Sequence, residues 1–148
     1  MPLKNFGSIL NFAAELEADD QAFYSAAALS GACSKYRAEL EDFASAGKKN
    51  EKEMLRTCRE SVCEMILEPI VDFTRTPFLS DRGGVENMSL EEVLSKALEL
   101  ETKAINFYTE GAEKIRALPE VSRALARTAK RRQANKERLL TLGQEESS

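Results

Sequence analysis

The segment ELETKAINFY at residues 99–108 repeats the pattern of ELEADDQAFY at residues 15–24, 84 positions upstream. Each reads Glu-Leu-Glu, five varied residues, then Phe-Tyr. At this offset Leu10, Ala13, Glu15, Leu16, Glu17, Phe23 and Tyr24 align with Leu94, Ala97, Glu99, Leu100, Glu101, Phe107 and Tyr108. A fainter echo, offset by 85, pairs Leu40, Ala44, Asn50 and Met54 with Leu125, Ala129, Asn135 and Leu139. The apolar positions recur at helical spacing, so the chain reads as a tandem pair of helical hairpins.

Punctuation along the chain predicts four long helices. The first runs from about Asn5 to Ala28 and stops at Ser30-Gly31, glycine being a natural helix terminator. Ser34 is placed to cap the second, which continues to about Leu67, before Pro69. The third begins at Ser89, where SLEE forms a capping box with Glu92, and ends near Ala117. Pro119 suits the first turn of the fourth, which is expected to end at Gly143 and leave a polar tail over 143–148. The first and last loops are short enough for hairpins. Between the hairpins lies EPIVDFTRTPFLSDRGGVENM, with two prolines and two glycines, long enough to carry the chain from one end of a bundle to the other. Two hairpins with one long crossover describe an all-α, ferritin-like four-helix bundle, here a single domain over 1–148.

Composition narrows the chemistry. The 148 residues are 43% hydrophobic and 31% charged, as in an ordinary globule, and the net charge of −4 disfavours a general affinity for nucleic acid or anionic lipid. No apolar run is long enough to span a membrane, and the N-terminal residues lack a signal-peptide core, so the expected location is cytoplasmic. Cys33, Cys58 and Cys63 form no Cys-x-x-Cys motif and read as reduced thiols, at least two of them as small apolar filler. Histidine is absent, which removes the commonest metal ligand and general base. Gly83-Gly84 sits in a polar turn rather than in a phosphate-binding loop.

Residues seven apart share a helix face. The first helix therefore presents Leu10, Ala13, Glu17 and Tyr24 together, and the third Leu94, Ala97, Glu101, Ala104 and Tyr108. A carboxylate in mid-stripe must find a partner or take up a proton. On Glu17 with Tyr24, and Glu101 with Tyr108, the chain resembles the rubrerythrin branch of the ferritin-like proteins. That resemblance implies a di-metal site in which the second and fourth helices would each add Glu-x-x-His. Alignment on Leu40, Phe43, Ala44 and Met54 puts Gly47 and Asn50 at those positions. On the fourth helix, Leu125, Ala129 and Leu139 put Arg132 and Asn135 there. Two of six implied ligands remain, so the expected cofactor is none and the site reads as vestigial.

Arg132 is the expected replacement, its forked guanidinium bonded to Glu17 and Glu101. Asn50, Asn135 and the hydroxyls of Tyr24 and Tyr108 would take the remaining hydrogen bonds, and Gly47 would give the arginine room. A register shifted by one residue would instead turn Arg131 or Gln133 inward and leave Arg132 on the surface. Tyr24 and Tyr108 also read as plain core aromatics, and Glu15, Asp19, Asp20 and Glu99 as solvated acids. The leading functional expectation is a metal-free binding or structural module with no catalytic residue. The alternative is an iron- or manganese-dependent oxidoreductase with rebuilt ligands, for instance Glu17, Glu101 and Glu53. A third reading, nucleic-acid binding, rests on SRALARTAKRRQANKER, with seven Lys/Arg against one acid; these cations more readily neutralise the acidic side of the first helix. Phe12, Leu16 and Phe23 form an apolar flank on the first helix that suggests a homodimer, and no protein partner can be named.

Overall fold

The structure is a computed structural model and describes residues 3, 6–61 and 73–147. Helix α1 spans Phe6–Leu29, α2 Arg37–Ser61, α3 Leu90–Lys114 and α4 Pro119–Ser147. Short 3-10 turns occupy Gly31–Tyr36, Thr76–Phe78 and Val85–Asn87, and among the described residues there is no β-strand. The protein is all-α. The stretch expected to extend the second helix to Leu67 lies outside the described residues, as does Cys63.

Local chemistry accounts for the starts of α3 and α4. Ser89 Oγ accepts from the Glu92 amide at 3.2 Å while Glu92 Oε1 accepts from the Ser89 amide at 3.1 Å, a complete capping box. Pro119 opens α4, where its missing N–H leaves no bond unmade. Two expected boundaries are corrected. Ser34 caps nothing, because it lies inside the 3-10 turn that buries Cys33 and Tyr36 ahead of α2. Residues 143–147 are not a tail, since α4 continues through Gly143 to Ser147. There the Tyr36 hydroxyl and Lys35 Nζ each reach Glu146 Oε2 at 3.2 Å, and Leu142 is buried. These contacts hold the last turns of the helix against the α1–α2 connection.

Contacts between the helices set the topology. Tyr24 meets Glu101 and Tyr108 meets Glu17, so α1 and α3 are antiparallel neighbours. Gly47 faces Gln21 and Asn50 faces Glu17, which makes α1 and α2 antiparallel. Arg131 meets Glu53 and Arg138 meets Asp42, so α2 and α4 are antiparallel as well. Arg132 with Glu101, and Leu125 with Gly111, give the same result for α3 and α4. Helices α2 and α3 consequently point the same way across the bundle, and the segment between them must return the chain to the opposite end. A plain up-and-down bundle would set them antiparallel.

The core is in two halves. One gathers Ile9, Leu10, Phe12, Leu16, Phe107 and Leu125 with their neighbours; the other gathers Phe23, Tyr24, Leu40, Phe43, Leu100 and Leu139. Between them lie the buried polar residues Glu17, Asp20, Asn50, Glu101, Thr128 and Arg132. Thr128 is satisfied within its own helix, donating to the Ala124 carbonyl at 2.9 Å.

The apolar flank on α1 is not exposed. Phe12, Leu16 and Phe23 are each 2% accessible. Phe12 meets Phe107 edge-on at 5.1 Å, and the Arg75 guanidinium covers its ring at 5.3 Å. Phe73 and Phe78, from the long connection, pack on Phe107 at 5.8 and 5.4 Å. The crossover thus buries against α1 and α3 the surface that the sequence pattern left for a second protomer, each large side chain stabilising by about 1.5–3 kcal/mol. Among the described residues, no helix is long and apolar enough to cross a membrane.

Candidate functional site

At mid-height of the bundle, α4 sends Arg132 into the core with only 1% of its surface accessible. Its Nη1 donates to Glu101 Oε2 of α3 at 2.9 Å, and its Nη2 donates to Asp20 Oδ2 of α1. Nε lies 3.3 Å from Glu17 Oε2, close enough for ion pairing but without hydrogen-bond geometry. All three acids are 0% accessible. One guanidinium therefore joins carboxylates from two other helices, which its fork of five donors can do and the point charge of a lysine cannot.

Two tyrosines close the cluster crosswise. The Tyr24 hydroxyl donates to Glu101 Oε2 at 2.5 Å, and the Tyr108 hydroxyl donates to Glu17 Oε2 at 2.5 Å. The two bonds are related by the same 84-residue offset seen in the sequence. Asn50 Nδ2 donates to Glu17 Oε1 at 3.2 Å. Asp20 also accepts from Arg82 Nε at 2.7 Å, a guanidinium supplied by the long connection. Glu101 Oε1 has no hydrogen-bond partner among the described residues.

Three buried carboxylates face two guanidinium groups, so full ionisation would leave one uncompensated negative charge where desolvation is costly. The shifts follow from burial first and from that imbalance second. Burial pushes Glu101 up to about 7 against the opposing pull of Arg132 and the Tyr24 hydroxyl. Glu17 is raised as well, burial outweighing Arg132 and Tyr108. Burial first, and then their carboxylate partners, push Tyr24 and Tyr108 well above the usual phenol range, so both remain donors. Arg132 stays charged, since the three acids more than offset its own desolvation.

Arg132, Glu17, Glu101, Asn50, Tyr24 and Tyr108 meet in one cluster; two other candidate residues do not play the parts the sequence suggested. Gly47 makes no room for Arg132, because it faces the backbone of α1: a Cβ there would stand 3.2 Å from Gln21 Cβ and 3.4 Å from the Glu17 carbonyl oxygen. Its role is close helix approach. Gly47→Ala is expected to lower stability by about 1 kcal/mol in urea unfolding, because the overpacking outweighs the gain in helix propensity. Equal or greater stability in the variant would show that the helices can part there without loss. Asn135 is half-buried and takes no part in the hydrogen bonds of the cluster. Three residues after Arg132, it is turned about 60° off that face.

Asp20, expected to be solvated, is wholly buried and belongs to the cluster. Its spacing of three from Glu17 was the available signal; nothing local marked Arg82. Glu15 and Asp19 are exposed. Glu53 pairs with Arg127 and Arg131 rather than with Glu17 or Glu101. Burial would raise its carboxyl, but these two arginines hold it below the ordinary range. The α4 cations mostly serve α2 instead of the acidic side of α1: Arg127 and Arg131 bind Glu53, and Arg138 binds Asp42.

No protein-family model matches the chain, and no curated protein or solved structure is detectably similar to it. The donor set itself does not fit a di-iron or dimanganese centre. Such a centre needs carboxylates and imidazoles from all four helices, whereas here α2 offers Gly47 and Asn50 and α4 offers a cation. Among the described residues, no group of three or more His, Cys, Asp and Glu side chains is arranged to hold a metal ion. Glu17, Asp20 and Glu101 converge on a guanidinium that any divalent ion would have to displace.

Proposed function

We propose that this is a ferritin-like bundle of the rubrerythrin type, built from a duplicated helical hairpin, in which Arg132 has taken the place of a di-metal centre. It acts as a binding or structural module rather than an oxidase. The observation that carries the reading is the buried Arg132 guanidinium, bonded to Glu101 and Asp20 and ion-paired with Glu17. A fixed positive charge on α4 does the electrostatic work of a cation without offering an open coordination position, a redox couple or a labile ligand. The crosswise Tyr24–Glu101 and Tyr108–Glu17 bonds support the duplication. Free thiols at Cys33 and Cys58 are in keeping with a reducing, cytoplasmic setting. The homodimer no longer has an apolar α1 flank behind it; sedimentation of the full chain reads its state directly.

Metal analysis tests the proposal. Full-length protein produced with iron or manganese supplied is expected to purify with far less than one equivalent of either. Near-stoichiometric metal that disappears in the Glu17→Ala/Glu101→Ala variant would overturn the reading in favour of a rebuilt oxidoreductase.

A further inference from the structure

A cleft of about 670 Å³ opens between α2 and α4. Its walls carry Lys49, Lys52, Arg56 and Arg59 from α2 and Arg131 from α4. The four α2 cations are spaced three, four and three residues apart, so they form one stripe about 15 Å long on a single helix face. None of the four pairs with a carboxylate among the described residues. Like charges at these spacings oppose the helix that carries them. The one acid in the lining, Glu53, is already bound by Arg127 and Arg131. Five cations against one carboxylate make this cleft strongly positive on a chain whose net charge is −4.

We propose that the cleft binds a small multivalent phosphate: a ligand with two or more phosphate groups, held along the Lys49–Arg59 stripe and opposite Arg131. Its volume lies in the range of small-molecule sites. Leu55, 38% exposed, and Ala46 add an apolar ledge beside the charges, suited to an organic body attached to the phosphates. A nucleic-acid strand fits less well. No aromatic side chain lines the cleft for bases to stack on, and the acidic remainder of the chain would repel a long polyanion beyond it. The site is also wired to the core. Asn50, in the cleft lining, accepts from Arg131 Nη1 at 3.3 Å and donates to Glu17 at 3.2 Å. An anion that draws Arg131 toward itself pulls on a hydrogen-bond chain two links from Arg132.

This inference goes beyond the metal-free reading of the core, and its test makes no use of metal content. Titration calorimetry of the full chain with inorganic tripolyphosphate and with ATP, at low salt, is expected to give one saturable site. Lys52→Glu/Arg56→Glu should weaken it at least about ten-fold, while Lys130→Glu, an exposed α4 cation outside the lining, should change it less than about two-fold. Lys49→Gln/Arg59→Gln provides an independent charge-removing pair, should the reversals disturb folding. Tighter binding of ATP than of tripolyphosphate assigns the organic body to the Leu55 ledge, and equal binding assigns recognition to the phosphates alone. Absence of a saturable site, equal weakening by Lys130→Glu, or displacement of ATP by a lower concentration of a single-stranded oligonucleotide would each overturn the proposal.

Discussion

At pH 8, Arg132→Met is expected to destabilise the fold by about 3–5 kcal/mol, read from urea unfolding followed by helical circular dichroism. Methionine fills similar space and keeps α4 helical, so the loss isolates charge from packing. Without the guanidinium, Glu17 and Glu101 retain only neutral donors, namely Tyr108, Asn50 and Tyr24, while Asp20 keeps Arg82. Both stranded acids already sit above the ordinary carboxyl range with Arg132 present, and removing it pushes them higher. They then protonate on folding, which limits the damage as the pH falls. The gap between variant and parent should therefore be widest at alkaline pH and narrow toward pH 5. Arg132→Lys should fall between the two, because an ammonium keeps the charge but cannot reach three carboxylates in a plane. A variant as stable as the parent at pH 8 would mean that the acids do not depend on this cation.

The parent protein should itself be more stable at pH 5 than at pH 8, against the usual expectation for a chain rich in paired acids. Glu101 titrates at about 7 in the folded state and near 4.5 when unfolded. Between those values the folded state holds the extra proton. Stability is thus full below the lower value and is lost as pH rises through the upper one, by about 3 kcal/mol in all. Glu17, also raised, adds in the same direction. Glu53 works oppositely, but its folded value is lowered, so its contribution is lost only in more acid solution. Glu101→Gln should remove most of the slope between pH 5 and pH 8. Tyr24 and Arg132 both donate to Oε2, a part the amide oxygen can take. The amide N–H groups instead fall where Oε1 has no partner, and their lost hydrogen bonds offset part of the gain from removing the charge. The substitution also leaves two guanidinium groups facing two carboxylates. An unchanged pH profile in Glu101→Gln would place the titrating proton elsewhere.

What could be read from the sequence was whatever depended on local periodicity. Glu17 with Tyr24, and Glu101 with Tyr108, stand seven apart on one helix face, and helical geometry alone brings each pair inward. The stripe Leu125, Ala129 and Leu139 likewise set which face of α4 is buried, and Arg132 lies on it. Contacts contributed by the crossover could not be read this way. Phe73, Arg75, Phe78 and Arg82 have no fixed helical phase relative to α1, so the pattern does not reveal that the two phenylalanines pack on Phe107, that Arg75 covers Phe12 or that Arg82 pairs with Asp20. Asp20 reads as solvated for that reason: an acid three residues from Glu17 has no partner visible in the sequence. The role of Gly47 is hidden for another reason. Its missing side chain matters to the neighbouring backbone at Glu17 and Gln21, a relation that depends on interhelical distance and is not written in either helix alone.

The polar layer across the middle of the core also ties the fate of one hairpin to the other. Arg132 belongs to the second hairpin, while Glu17 and Asp20 belong to the first, and each tyrosine bonds an acid on the opposite side. Were the hairpins to separate, each would open its apolar face and leave ionic groups bereft of their counterparts in the same step. Such a molecule has little reason to dwell half-assembled. The charges at its centre act as a latch that holds only when both leaves are shut.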